Sequence, residues 1–163
     1  MSEIKFDNSG VRRQDRLLDR ETSMELLKTA EYGVLSMCDG DQPYGIPINY
    51  VWDGANALYL HCAPEGRKLR ILASNPRISF TIVGRVNLLP ERFTTEYQSL
   101  VLTGTAAIDL PEDERHHALD LLLDKLSPAH KTVGLKYAAA SFHRVSIIRL
   151  DITTLSAKSK HIH

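Results

Sequence analysis

The sequence predicts a mainly β fold with peripheral helices: six antiparallel strands in a small barrel, closed or partly open. Three observations predict it. The order of elements reads helix, three strands, helix, two strands, helix, strand. Most strand connections are short turns, which pair neighbours antiparallel. Six strands of modest length, with helices only at the margins, suit a barrel better than a layered α/β sheet.

Residues 1–18 carry few apolar residues and no clear period, so they read as an N-terminal arm that docks late or stays mobile. Thr22 to Glu25 has capping-box spacing, and Leu26, Leu27 and Ala30 follow at helical intervals, giving a first helix that ends near Gly33. Val34 to Cys38 is a strand, and Asp39-Gly40-Asp41 is a turn. Tyr44 to Trp52 is the next strand. Pro43 precedes it and Pro47 interrupts it, so it is expected at a sheet edge or with a bulge.

Asp53-Gly54 marks a turn, and Ala57 to Ala63 is the third strand. Gly66 to Ser74 is a short helix with Leu69 and Leu72 on one side, stopped by Asn75-Pro76. Arg77 to Val83 and Gln98 to Asp109 are two strands joined by a loop around Pro90. Pro111 opens an amphipathic helix with a stripe of Ala118, Leu119, Leu122, Leu123 and Leu126. A basic segment, Lys131 to Lys136, leads through Tyr137 and three alanines into the last strand, Phe142 to Ile152. These spans give an arm (1–18), one domain (19–155) and a polar tail (156–163). There is no internal repeat.

Composition narrows the function. Apolar residues make up 43% and charged residues 25%, as in ordinary globular domains. The formal net charge is zero, which argues against nucleic acid as a partner and against an anionic membrane surface. No apolar run approaches the ~18–20 residues that span a bilayer, and the N-terminus lacks the apolar centre of a signal peptide. Cys38 and Cys62 sit in apolar runs and read as reduced, buried thiols of a cytoplasmic protein, with a disulfide between them the less favoured alternative. Dinucleotide, P-loop, zinc and hydrolase signatures are missing.

The richest stretch runs from Leu58 to Phe80. A strand ends at Ala63, a Pro64-Glu65-Gly66 turn follows, and a helix opens with Arg67 and Lys68. A helix N-terminus with two cations suits an anion such as phosphate. Arg70 continues the charge, so a solvated basic face is the competing reading. His61, on a strand beside an apolar run, reads as either a hydrogen-bonded structural residue or a functional one. Core packing is the favoured reading of Trp52 and a competing one for Tyr50, and Ser99 reads equally as a half-buried strand hydroxyl or a functional one. His116-His117 falls on the polar side of its helix and reads as solvated. His143 receives no role, and His161-Ile-His163 reads as tail, so no metal site is expected.

The stretch from Leu58 to Phe80 resembles the phosphate-binding segment of the pyridoxamine 5′-phosphate oxidase-like flavoproteins. Tyr44 to Tyr50 and Thr95 to Gly104 add to the likeness, which is nearest the 5-nitroimidazole reductase (nitroimidazole-resistance) branch and covers nearly the whole chain. The resemblance implies a six-stranded antiparallel FMN-binding split β-barrel, working as a homodimer with cofactor at the interface. It assigns the FMN phosphate to Arg67 and Lys68 behind Gly66. It places His61, Cys62 and Ala63 beside the flavin, and runs Pro47, Ile48, Asn49 and Tyr50 past the isoalloxazine ring. Ser99 matches a polar position directed at the flavin, and Lys158 lies where relatives often have Gly-Lys, here with Ala157 in place of the glycine. His61 matches an active-site histidine able to donate a hydrogen bond or proton, its ordinary pKa being ~6.5.

The arginine-bearing C-terminal segment of true pyridoxamine phosphate oxidases is not seen, so vitamin B6 oxidation is not expected. The expected activity is flavin-dependent reduction of a small nitroaromatic or quinone-like acceptor by a nicotinamide donor. Non-enzymatic flavin or haem binding is the alternative, haem through His61 in the same slot. A deazaflavin in place of FMN is a further one.

Overall fold

The structure, a computed structural model, describes residues 3–161. Its strands are β1 (Lys5–Phe6), β2 (Tyr32–Asp39), β3 (Gln42–Asn49), β4 (Val51–Trp52), β5 (Ala57–Cys62), β6 (Arg77–Leu89), β7 (Thr94–Ala107) and β8 (Ser146–Lys160). The helices are α1 (Arg20–Thr29), α2 (Arg67–Ser74), α3 (Glu112–Leu126) and α4 (Lys131–Ser141). One mostly antiparallel sheet runs in the order β3-β2-β6-β7-β8-β5-β4, and β1 lies parallel to β8. The strand count is therefore eight, not six, and the sheet stays open, with β3 and β4 at its ends.

The two extra strands are two residues long, which is why no alternation announces them. β4 separates from β3 because Tyr50 turns fully into the core, where its hydroxyl donates to the Leu27 carbonyl at 2.5 Å. β3 lies at the sheet edge, as Pro43 and Pro47 require.

Alternate residues of the strands face one main core: Leu35 and Met37 of β2, Phe80 and Ile82 of β6, Leu100 and Leu102 of β7, Leu150 and Ile152 of β8. A second, smaller core lies on the other face of β5, where Ala57 and Tyr59 meet Ala118 and Leu122 of α3. β5 is thus buried on both sides, and this explains its unbroken apolar run.

Several boundaries differ from the sequence reading. Asp19, not Thr22, caps α1: its carboxylate accepts from the Thr22 amide at 2.8 Å. β6 and β7 continue to a tight turn at Pro90–Arg92, forming one long hairpin. Lys131–Ser141 is helix α4 rather than a lead-in, and the last strand starts at Ser146 after a 3₁₀ turn at Phe142–Arg144 that contains His143. That strand runs to Lys160, so Ser156–Lys160, read as tail, pairs with Tyr97–Val101 of β7. The register skips Thr153, a bulge that keeps Ile152 and Leu155 both facing the core. The arm docks along β8: the Asp7 amide donates to the Leu155 carbonyl at 2.9 Å, and Ile4 and Leu18 are buried. The ends of the arm and tail, Met1-Ser2 and Ile162-His163, lie outside the described residues. Cys38 faces outward and is exposed rather than buried, Cys62 is half-buried, and both are free thiols. No helix among the described residues is long and apolar enough to cross a membrane.

Candidate functional site

The entry to α2 carries uncapped amides and two cations. β5 ends at Cys62, and the chain turns through Ala63 to Gly66, whose φ of 136° is closed to ordinary L residues. Open space stands where a Cβ at Gly66 would lie. No side chain caps the helix, so the Arg67, Lys68 and Leu69 amides have no intrahelical acceptor, and the ladder begins with the Arg70 amide on the Gly66 carbonyl. Ile71 and Leu72 anchor the helix in the core with Leu69 packed beside them, while Lys68 is half-buried and Arg67 exposed. The Arg67 guanidinium lies 4.3 Å above the Tyr44 ring and 3.5 Å from the Asp39 carboxylate. Lys68 sits close enough to Cys62 to draw its thiol pKa down, against a larger upward push from burial.

Asp39 and Tyr44 went unrecognised as site residues in the sequence. Asp39 reads there only as part of a turn, and Tyr44 only as a strand residue. Their closeness to Arg67 arises because the β2–β3 hairpin and the start of α2 meet.

The remaining expected site residues divide by strand parity. Pro47 lies in an outward row through Val34, Thr81, Val101 and Ser156. Asn49 shares the outward face of β3, and its amide donates to the Glu31 carbonyl at 3.0 Å. Ser99 is half-buried on the same side of β7, between Val83 and Lys158 in register. Ile48 points the opposite way and packs on the main core. Tyr50 is 0% exposed, so its ring cannot touch a ligand, and core packing is its role. Trp52 is half-buried, with its indole N–H on the Ala55 carbonyl at 3.1 Å.

His61 faces away from the main core, on the side of β5 covered by the two long helices. There it opens on a cavity of about 260 Å³ lined by leucines of α3 and by Tyr137 and Ala138 of α4. The side chain is exposed to solvent, and its apolar neighbours lower the imidazole below its ordinary value. His116 and His117 are exposed, as expected, and the His116 ring also stacks on Phe142 with ring centres 4.1 Å apart.

Lys125 is a second perturbed group. Its ammonium donates to the Ala30 carbonyl at 2.7 Å and stands 3.8 Å over the Tyr50 ring. Burial lowers it to about 8. Tyr59, pushed up to about 12 by burial, donates to Glu114, which also holds Arg149 at 2.6 Å.

Comparison with known proteins adds a family. A curated relative, an uncharacterized protein of Rhizobium meliloti (strain 1021), is 30% identical over 148 residues, covering 85% of this chain and 92% of that one. Three solved structures share the fold. A candidate 5-nitroimidazole antibiotic resistance protein from Bacteroides thetaiotaomicron has 18% identity and a TM-score of 0.71, over 88% of this chain and 86% of that one. An FAD-binding protein from Mesorhizobium loti has 21% identity and a TM-score of 0.65, over 90% and 98%. The flavocytochrome Anf3 from Azotobacter vinelandii has 20% identity and a TM-score of 0.77, over 99% and 77%. At these identities the likeness is one of fold. The family model described as pyridoxamine 5′-phosphate oxidase matches residues 19–159, from the cap of α1 to nearly the end of β8, and the chain belongs to that family.

Proposed function

We propose that this protein is a flavin-dependent reductase of small organic acceptors, binding FMN between the subunits of a homodimer. The observation that carries the reading is the first turn of α2. Three uncapped amides, the bare Gly66 backbone and the Arg67 and Lys68 cations stand at one turn, a donor set suited to a phosphate. The arginine offers a planar fork to two oxygens, and the lysine a point charge.

Bound flavin would supply hydride and electron transfer between a nicotinamide donor and the acceptor. This chain's residues would do the rest. Arg67 and Lys68 hold the phosphate end. Pro47 and Asn49 offer an edge-strand backbone to the ring, and Ser99 offers a hydroxyl. His61, beside an apolar cavity, donates a hydrogen bond through its ring N–H.

The dimer reading is supported by apolar residues left on the surface of the β6–β7 hairpin. Val83, Val86 and Leu88 are each more than half exposed, and Phe93 at the tip is 97% exposed. A patch of this kind marks an interaction surface. The two free thiols, one of them exposed, suit a reducing compartment such as the cytoplasm.

The test is an absorption spectrum of the purified protein with mass spectrometry of the released ligand. Yellow protein releasing FMN is the expected result. Colourless protein that gains no flavin on incubation with FMN overturns the reading. A Soret band lost in His61→Ala assigns haem instead, and a deazaflavin or FAD is identified by its mass.

A further inference from the structure

The last turn of α3 carries a lysine without an acid to pair with. Lys125 is half-buried, and its amine reaches across to the end of α1. There it donates to the Ala30 carbonyl at 2.7 Å and stands 3.8 Å over the Tyr50 ring. Among the described residues no carboxylate forms an ion pair with it, and Glu31 acts on it only at longer range, against a larger effect of burial. Lys131 shows the ordinary alternative, held by Asp120 at 2.9 Å and by Asp124 at 2.8 Å.

Lys125 also lines an open cavity of about 420 Å³. Val51, Trp52 and Leu121 give this cavity an apolar wall, and Lys28 of α1 adds a second cation. Asp124 lines it too, but its charge is already met by Lys131.

We propose that Lys125 is a covalent acylation site, and that the donor class is a short-chain acyl phosphate. The step is a group transfer. The Nζ lone pair attacks the acyl carbon and forms an N–C bond. The bond from that carbon to the phosphate oxygen breaks, and phosphate leaves with the bonding pair. The surplus proton on nitrogen passes to water, and nothing is oxidised or reduced. Attack needs the unprotonated amine, and taking a lysine out of water favours that form. Burial lowers Lys125 to about 8. At pH 8 about half of such a group is free amine, against roughly 0.4% of an ordinary lysine. Lower basicity also weakens the nucleophile, so the gain in rate is smaller than the gain in free amine. The apolar wall receives the acyl chain, and Lys28 favours a donor whose leaving group is an anion. The product amide is uncharged, so transfer takes the cation off the Tyr50 ring.

The full-length protein is incubated with acetyl phosphate, and acetylation of each lysine is followed by mass spectrometry of its peptides. At pH 8, Lys125 is expected to react at least tenfold faster than Lys28 and Lys136, which are exposed. Its rate is expected to be half-maximal at about pH 8, while theirs keep rising with pH. Lys28→Ala is expected to slow acetyl phosphate at Lys125 at least threefold and to leave p-nitrophenyl acetate, an uncharged acyl donor, unchanged. Should that variant not fold, the same contrast is read in the wild type by raising the salt, which screens Lys28 from the phosphate.

Labelling of Lys125 no faster than Lys28 or Lys136 overturns the site. The same preference in concentrated urea also overturns it, because the preference then belongs to the local sequence and not to the fold. Equal slowing of both donors, or slowing of neither, overturns the acyl phosphate class. Flavin content enters none of these readouts, so the site stands or falls apart from the reductase reading.

Discussion

Replacing Asp39 by asparagine removes an acid from beside the proposed phosphate site while keeping the side chain's size. The carboxylate stands 3.5 Å from the Arg67 guanidinium, and both groups are about half exposed. A phosphate on the open side of Arg67 would lie roughly 7 Å from Asp39. At an effective dielectric constant of ~40–80, Coulomb's law gives about 0.6–1.2 kcal/mol of repulsion per unit of phosphate charge. That charge is about −1.5 to −2, and salt screens part of the sum. Releasing Arg67 from a half-exposed ion pair adds a few tenths of a kcal/mol. The total is about 1–2 kcal/mol, so Asp39→Asn is expected to bind FMN roughly five- to thirtyfold tighter. Riboflavin, which lacks the phosphate, is expected to bind unchanged. Flavin fluorescence titrations at two ionic strengths measure both, and the gain should shrink at the higher one. Weaker FMN binding, or an equal gain for riboflavin, refutes the assignment of Arg67 to phosphate.

Other perturbations test the remaining structure. Arg67→Ala with Lys68→Ala is expected to weaken FMN at least about a hundredfold, since charged hydrogen bonds contribute ~1.5–3 kcal/mol each; circular dichroism should show an intact fold. Gly104→Ala sets a Cβ 2.0 Å from the Asp151 carbonyl oxygen beside the β8 bulge, and is expected to cost about 3 kcal/mol, seen as a Tm lower by roughly 6–12 °C. Lys125, lowered to about 8 from 10.5, binds fewer protons folded than unfolded between those values. Its contribution to stability therefore rises with pH above about 8. Urea midpoints at pH 7.5 and 9.5 should show that increment missing in Lys125→Met. Val86→Asp with Leu88→Asp is expected to halve the sedimenting mass and to release flavin.

The strands with a buried and an exposed face were readable, because alternation in Val34–Cys38 and Arg77–Val83 follows directly from the pleat. The turn into α2 was readable because glycine, two cations and Asn-Pro punctuate it. Elements held by backbone alone were not. Ser156–Lys160 has one buried side chain, Ala157, and joins the sheet through its ladder with β7. α4 has no apolar stripe, and Val133, Leu135 and Tyr137 are exposed. Its run of alanines was the signal available, since alanine has the highest helix propensity. Parity within Pro47–Tyr50 also went unused. A ligand on the outward face of β3 meets Pro47 and Asn49, whereas Ile48 and Tyr50 point into the core.

The two prolines of β3 bear on how copies of this chain associate. A sheet border with an unbroken row of amides lets another chain add a strand, and then another, without a stopping point. Positions 43 and 47 have no amide hydrogen to give, so no continuous ladder can grow along that border. Any contact made along this border must therefore use side chains rather than an added strand.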